Sequence, residues 1–130
     1  MSTFKADYII ARQEELVGNT SSIPVKTVVN GTAKAWVNFN GTGTVAIRAN
    51  FNTASLSDNG TGDYTVNFAT ALSDANYSVV AMNAGAGGYG SYGLYMQQKS
   101  APTTSTCALT TLSNAGTAVD SIQVNVTISR

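Results

Sequence analysis

The sequence predicts an all-β domain: an antiparallel β-sandwich or barrel-like fold of seven or eight short strands behind a short N-terminal arm. Three observations carry this expectation. From Ala33 onward, apolar residues recur at every second position, the period of a half-buried strand. The alternating segments are separated by turns rich in Gly, Asn, Asp and Ser. No helical pattern of roughly 10 to 15 residues lies between them, which disfavours a parallel α/β architecture.

The strands follow in order. In "AKAWVNF", Ala33, Ala35, Val37 and Phe39 share one face, and Val45 and Ile47 do so in "TVAIR". Tyr64, Val66 and Phe68 form the face of "DYTVNF", and Tyr77, Val79 and Ala81 that of "YSVVAMN". "YGLYMQQ" and "STCALTTL" are strand-like. The last segment alternates most cleanly, with Ile122, Val124, Val126 and Ile128 set between Gln123, Asn125, Thr127 and Ser129. Cys107, the single cysteine, reads as a small buried hydrophobe and excludes an internal disulfide.

The N-terminal stretch behaves differently. Lys5, Asp7, Arg12, Glu14 and Glu15 place five of the fourteen charged residues in its first 22 positions. Phe4, Tyr8, Ile9 and Leu16 fit neither strand nor helix spacing, so residues 1–24 are read as a docking arm ordered by a partner, and residues 25–130 as the β domain. The stretch lacks the apolar centre and cleavage site of a secretory signal, which points to synthesis and assembly in a cytoplasm.

Composition narrows the function classes. Charged residues are only 11% of the chain, and seven basic residues balance seven acidic ones, so the positive field needed for nucleic acid or an anionic membrane is missing. The apolar runs are far shorter than the roughly 20 residues that span a bilayer, so no membrane insertion is expected. Histidine is absent, which removes the usual general base, the Ser-His-Asp triad and the commonest metal ligand. Asp58, Asp63 and Asp74 could form a carboxylate pair but occupy turns, where Asp is favoured for backbone hydrogen bonding alone. No enzymatic activity and no cofactor are expected.

The tetrapeptide "NGTG" occurs twice, at residues 40–43 and 59–62. Neither copy is followed by the Lys and the helix of a phosphate loop. Both match a glycosylation acceptor triplet, as do Asn19, Asn30, Asn76 and Asn125 in their contexts, a frequency that follows from abundant Asn and Thr. The reading with a mechanism is a pair of strand-connecting turns, because Asn and Gly accept the positive φ of tight connections. Asp58 and Asp63 flank the second copy as candidate cation ligands, without the ligand spacing or distal Glu of an EF-hand.

Gly85, Gly87 and Gly90 spell G-x-G-x-x-G, but a strand-like segment follows in place of the helix that would face a pyrophosphate. The run reads instead as a loop presenting Tyr89 and Tyr92, a composition suited to adaptable contacts. Trp36, Tyr89, Tyr92 and Tyr95 are therefore the candidate surface or interface contacts.

Residues 31–85, and most specifically "AKAWVNFNGTGTVAIR" and "DNGTGDYTVNF", resemble a stretch found in tail-fibre proteins of many bacteriophages, notably marine ones. The resemblance implies a virion structural protein, a β-rich homotrimer that contacts other virion proteins and whose outer surface recognises a host-cell glycan or protein. It carries over no defined binding residues. Such segments usually end a much longer fibre, whereas about thirty residues precede "AKAWVNF" and no heptad stalk is present. A capsid decoration protein and a stand-alone carbohydrate-binding module are the alternatives.

Overall fold

The computed structural model describes residues 23–85 and 95–130, with backbone alone for Tyr95. The chain divides into two units at Gly31/Thr32. In the first, Val25–Gly31 forms a seven-residue helix, α1, behind Pro24, whose carbonyl accepts from the Thr27 and Val28 amides. Val25, Val28 and Val29 on it are exposed. The sequence reading assigned these residues to the β domain; they are helical, and the β unit begins at Thr32.

That unit is a sandwich of two four-stranded antiparallel sheets. Sheet 1 has the order β2-β1-β8-β5, built from β1 (Ala33–Asn40), β2 (Ala46–Phe51), β5 (Ser78–Ala84) and β8 (Gln123–Ser129). Sheet 2 has the order β3-β4-β7-β6, built from β3 (Thr53–Gly60), β4 (Asp63–Phe68), β6 (Tyr95–Gln98) and β7 (Thr106–Leu112). The expected all-β fold is thus present as two separate sheets and not as a closed barrel.

The alternation places the core. Across sheet 1 the inward rows are Ala35–Ile128–Val79 and Val37–Val126–Ala81, and Phe39 sits beside Val124. Across sheet 2 they are Tyr64–Leu109 and Leu56–Val66–Cys107. Phe39 meets Tyr64 edge-on between the sheets, with ring centroids 5.1 Å apart, and Phe68 meets Tyr77 in the same way at 5.9 Å. Cys107 is buried among these side chains, and burial pushes its thiol pKa up, which keeps it protonated and inert.

Two sequence expectations need correction. The segment Val45 to Ile47 does not present a buried face: β2 is an exposed edge strand, its pairing with β1 slips by one residue at Asn38/Phe39, and only Val45 packs against the core. Thr53–Gly60 is a strand that the apolar pattern did not reveal, because Leu56 is its one large apolar side chain. The chain passes from β2 in sheet 1 to β3 in sheet 2 at Asn52, whose φ of 52° is tolerated by a short amide side chain. Its amide holds this corner by donating to the Lys34 and Thr70 carbonyls and accepting from the Thr70 amide.

Both NGTG copies are strand connections, and they use their glycines differently. In the first, Asn40 caps its own turn by bonding Thr42, and Gly43 takes the positive φ, 61°. In the second, Gly60 and Gly62 both have positive φ, 128° and 66°. A Cβ on Gly41 would stand 2.5 Å from the Tyr64 hydroxyl, and one on Gly62 would stand 2.6 Å from the Thr111 carbonyl oxygen. Thus one glycine of each copy is needed because another group approaches closely.

Candidate interaction faces of the sandwich

The approach to those two glycines forms a polar joint at one end of the sandwich. Tyr64 Oη lies 2.9 Å from the Gly41 carbonyl oxygen and 3.0 Å from Asp120 Oδ1, so its single proton is shared between two acceptors. The Gly62 amide donates to the same carboxylate oxygen at 2.7 Å. Burial and the neighbouring Asp120 charge push the Tyr64 hydroxyl pKa well above its ordinary value. The hydroxyl therefore stays protonated and acts as a structural donor.

The carboxylates do not converge on a chemical centre. Asp58 accepts from the Gly60 amide, Asp63 pairs with Lys99, and Asp74 pairs with Arg130. The candidate cation ligands Asp58 and Asp63 are each held by these partners. Among the described residues no group of three or more His, Cys, Asp or Glu side chains could hold a metal ion, and no helix is long and apolar enough to cross a membrane.

Chemistry that could serve binding lies on the two outer faces instead. On sheet 2 the outward rows are Ser55–Asn67–Thr106, Ser57–Thr65–Ala108 and Asp63–Thr110–Gln97. These side chains bond one another along the face. Asn67 Nδ2 reaches the Ser55 and Ser57 hydroxyls at 3.1 and 3.0 Å, and Asn59 Nδ2 reaches Thr65 Oγ1 at 3.0 Å. The face is mainly hydroxyl and amide, and its β3 and β4 side chains are bonded to one another within the chain.

The outer face of sheet 1 has the opposite character. Its rows are Phe51–Trp36–Thr127–Val80 and Ala49–Asn38–Asn125–Met82. Neither row contains a charge. Trp36 is 38% exposed, Phe51 53%, Val80 70% and Met82 69%. In the middle, Asn38 Nδ2 donates to Asn125 Oδ1 across β1 and β8. Lys34 and Arg48 flank the rows, and the Arg48 guanidinium donates to the Ile122 carbonyl at 2.6 Å.

Of the residues singled out from sequence, Trp36 lies on this face and not in the core. Tyr95 heads β6 opposite Leu112. Tyr89, Tyr92, Phe4, Tyr8, Ile9 and Leu16 lie outside the described residues. Sequence reasoning missed Phe51, Val80 and Met82. A signal for two of them was present: in "YSVVAMN" both phases of the strand are apolar, the mark of a strand with apolar surface on both sides. No known protein family, curated protein or solved structure matches this chain.

Proposed function

We propose that this chain is a bacteriophage virion structural protein of the tail-fibre or spike type, assembled in the host cytoplasm as a homotrimer. It works by binding and has no catalytic role. The observation that carries this reading is the contrast between its two outer faces: a sheet face that exposes Trp36, Phe51, Val80 and Met82 in two uncharged rows, suited to burial in an assembly, and a mainly hydroxyl and amide face suited to water and to a host glycan or protein. The resemblance of residues 31–85 to tail-fibre sequences supports the same assignment. Other virion proteins are the partners that would fix it to the particle.

Immunogold labelling of intact particles with antibody to this chain tests the assignment. Label on tails or spikes is expected. Label confined to heads would replace the reading with capsid decoration. A second reading, a solitary carbohydrate-binding module, draws on the exposed Trp36 beside Phe51. Glycan binding by a monomer, lost in Trp36→Ala, would favour it.

A further inference from the structure

We propose that Asn59, and not Asn40, is a site of spontaneous deamidation: the two NGTG copies are identical in chemistry, and the fold leaves one open to the reaction and holds the other closed. The inference goes beyond the binding role proposed above and does not depend on it.

The reaction needs no catalyst. The backbone nitrogen of the residue after an Asn attacks the side-chain Cγ. A C–N bond forms, the Cγ–Nδ2 bond breaks, and the displaced nitrogen leaves as ammonia, taking the backbone amide proton with it. Water then opens the resulting cyclic imide at one of its two carbonyls, giving aspartate or isoaspartate. Glycine favours the attack because no Cβ shields its nitrogen. Both copies place Gly after Asn and Thr after Gly, so the unfolded chain hardly distinguishes them. What separates them in the fold is whether the glycine amide can leave its acceptor and turn onto Cγ.

At the first copy it is held. The Gly41 amide donates to the Ser121 carbonyl at 2.8 Å, a bond that ties the end of β1 to the segment leading into β8. Gly41 is buried, and its own carbonyl accepts from the Tyr64 hydroxyl at 2.9 Å. Asn40 is half-buried, and both ends of its side chain bond Thr42: Nδ2 donates to the Thr42 carbonyl at 2.7 Å, and Oδ1 accepts from Thr42 Oγ1 at 2.8 Å. Reaction at Asn40 must therefore wait for a local opening of this end of the sandwich.

At the second copy the restraints are short-range and exposed. Asp58 stands opposite Tyr64 and Gly60 opposite Asp63, so the exposed Asn59 is the extra residue at a shift in the β3–β4 register. The Gly60 amide donates to Asp58 Oδ1 at 3.1 Å, an exposed bond to a side chain that can swing away. Its chain neighbours aside, no atom lies within 4 Å of a Cβ built on Gly60, so the peptide has room to rotate. Asn59 Nδ2 donates to Thr65 Oγ1 at 3.0 Å and to Asp63 Oδ1 at 3.3 Å, both exposed contacts. Conversion would put a carboxylate beside Asp58 and replace the donor to Asp63 with a like charge. Eight acidic residues would then oppose the seven basic ones, in place of seven.

The test follows the full chain over time at mildly alkaline pH, which favours the amide anion that attacks. One sample is folded, with circular dichroism unchanged throughout, and a parallel sample is held in denaturant. Tryptic cleavage after Lys34 and Arg48 puts Asn30, Asn40 and Asn59 on three separate peptides, and tandem mass spectrometry reads acid in place of amide at each. With each folded rate divided by the rate in denaturant, Asn59 is expected to convert at least about tenfold faster than Asn40, since only Asn40 waits on an opening of the sandwich. Independently, a chain carrying Asn30→Gln should accumulate a more acidic form on ion exchange, and adding Asn59→Gln should abolish it. Equal normalised rates, faster conversion of Asn40, an Asn59 that keeps its amide in the folded chain while losing it in denaturant, or an acidic form that survives Asn59→Gln would overturn the inference.

Discussion

The two outer faces differ in how they treat the strand's second phase. On sheet 2, positions pointing away from the core are mostly Ser, Thr, Asn and Gln, with Ala108 and the paired Asp63 among them, and those of β3 and β4 bond one another. On sheet 1, the corresponding positions of β1, β2 and β5 hold Trp36, Phe51, Val80 and Met82. Both sheets donate the same kind of inner face to one core, so the outer difference is unrelated to the folding of the sandwich. A face that needs only water can be built from short hydroxyl side chains. A face that exposes a Trp, a Phe, a Val and a Met without burying them loses the free energy their burial would supply, on the order of 1.5–3 kcal/mol for each fully covered aliphatic side chain.

The sharpest way to break this comparison is to place the same charge on each face. Trp36→Glu on sheet 1 is expected to dissociate the assembly, whereas Ser57→Glu on sheet 2 leaves its mass unchanged, both read by sedimentation velocity. Equal effects would mean that the faces are functionally alike.

Next in size is the joint that both sheets share. Gly62→Ala combines a φ of 66° with a Cβ driven into the backbone of Thr111 and Val119, and should cost roughly 3 kcal/mol or more in denaturant unfolding. Gly43→Ala, at a φ of 61° with open space around it, should cost only about 1 kcal/mol. Similar losses at the two positions would contradict the close approach at Gly62.

Smaller effects distinguish buried from exposed polar groups. Tyr64→Phe removes the donor to Gly41 and Asp120 while keeping the ring against Phe39, and should cost about 1–3 kcal/mol because the buried Gly41 carbonyl and the half-buried Asp120 lose that donor. Asn67→Ala on the sheet 2 face should cost about 0.5 kcal/mol, since water replaces its bonds to the two serines. Thermal or urea unfolding of both variants checks the ranking.

The smallest expected effect is at the Asp74–Arg130 pair, which joins the approach to β5 with the end of β8. The Arg130 hydrogen bonds, then that from the Asn76 amide, hold the Asp74 carboxyl below the usual carboxylate range. A group with a depressed folded pKa stabilises above its unfolded value, about 3.9, and loses that contribution as pH falls through the folded value. Asp74→Asn should therefore lower stability slightly near neutrality and flatten the acid limb of an unfolding titration below about pH 4. Added salt should shrink the difference.

Much of the fold was legible in particular residues. Phe39, Tyr64, Val66, Val124, Val126 and Ile128 are all buried, as strict alternation required, because a strand has a period of two and no freedom to choose otherwise. The glycine-rich connections at residues 40–43 and 59–62 were legible for a similar reason: few residues accept positive φ. The β3 strand was not legible, since "TASLSDNG" is held by pairing with β4 and not by its own apolar pattern. The edge position of β2, and with it the exposure of Ile47 and Phe51, was equally hidden.

What the sequence determined by itself, then, was the local periodicity: which side chains share a face and where the chain turns. The tertiary structure alone decided which strands lie together. Phe51 and Trp36, fifteen residues from each other, and Val80 and Met82, some thirty residues further on, become one surface only because β2, β1, β8 and β5 pair in that order. The same non-local pairing brings Gly41, Gly62 and Asp120 to one tyrosine hydroxyl. Alternation is a property of a single strand, whereas strand order depends on contacts between segments far apart in the chain, and no short window of residues contains it.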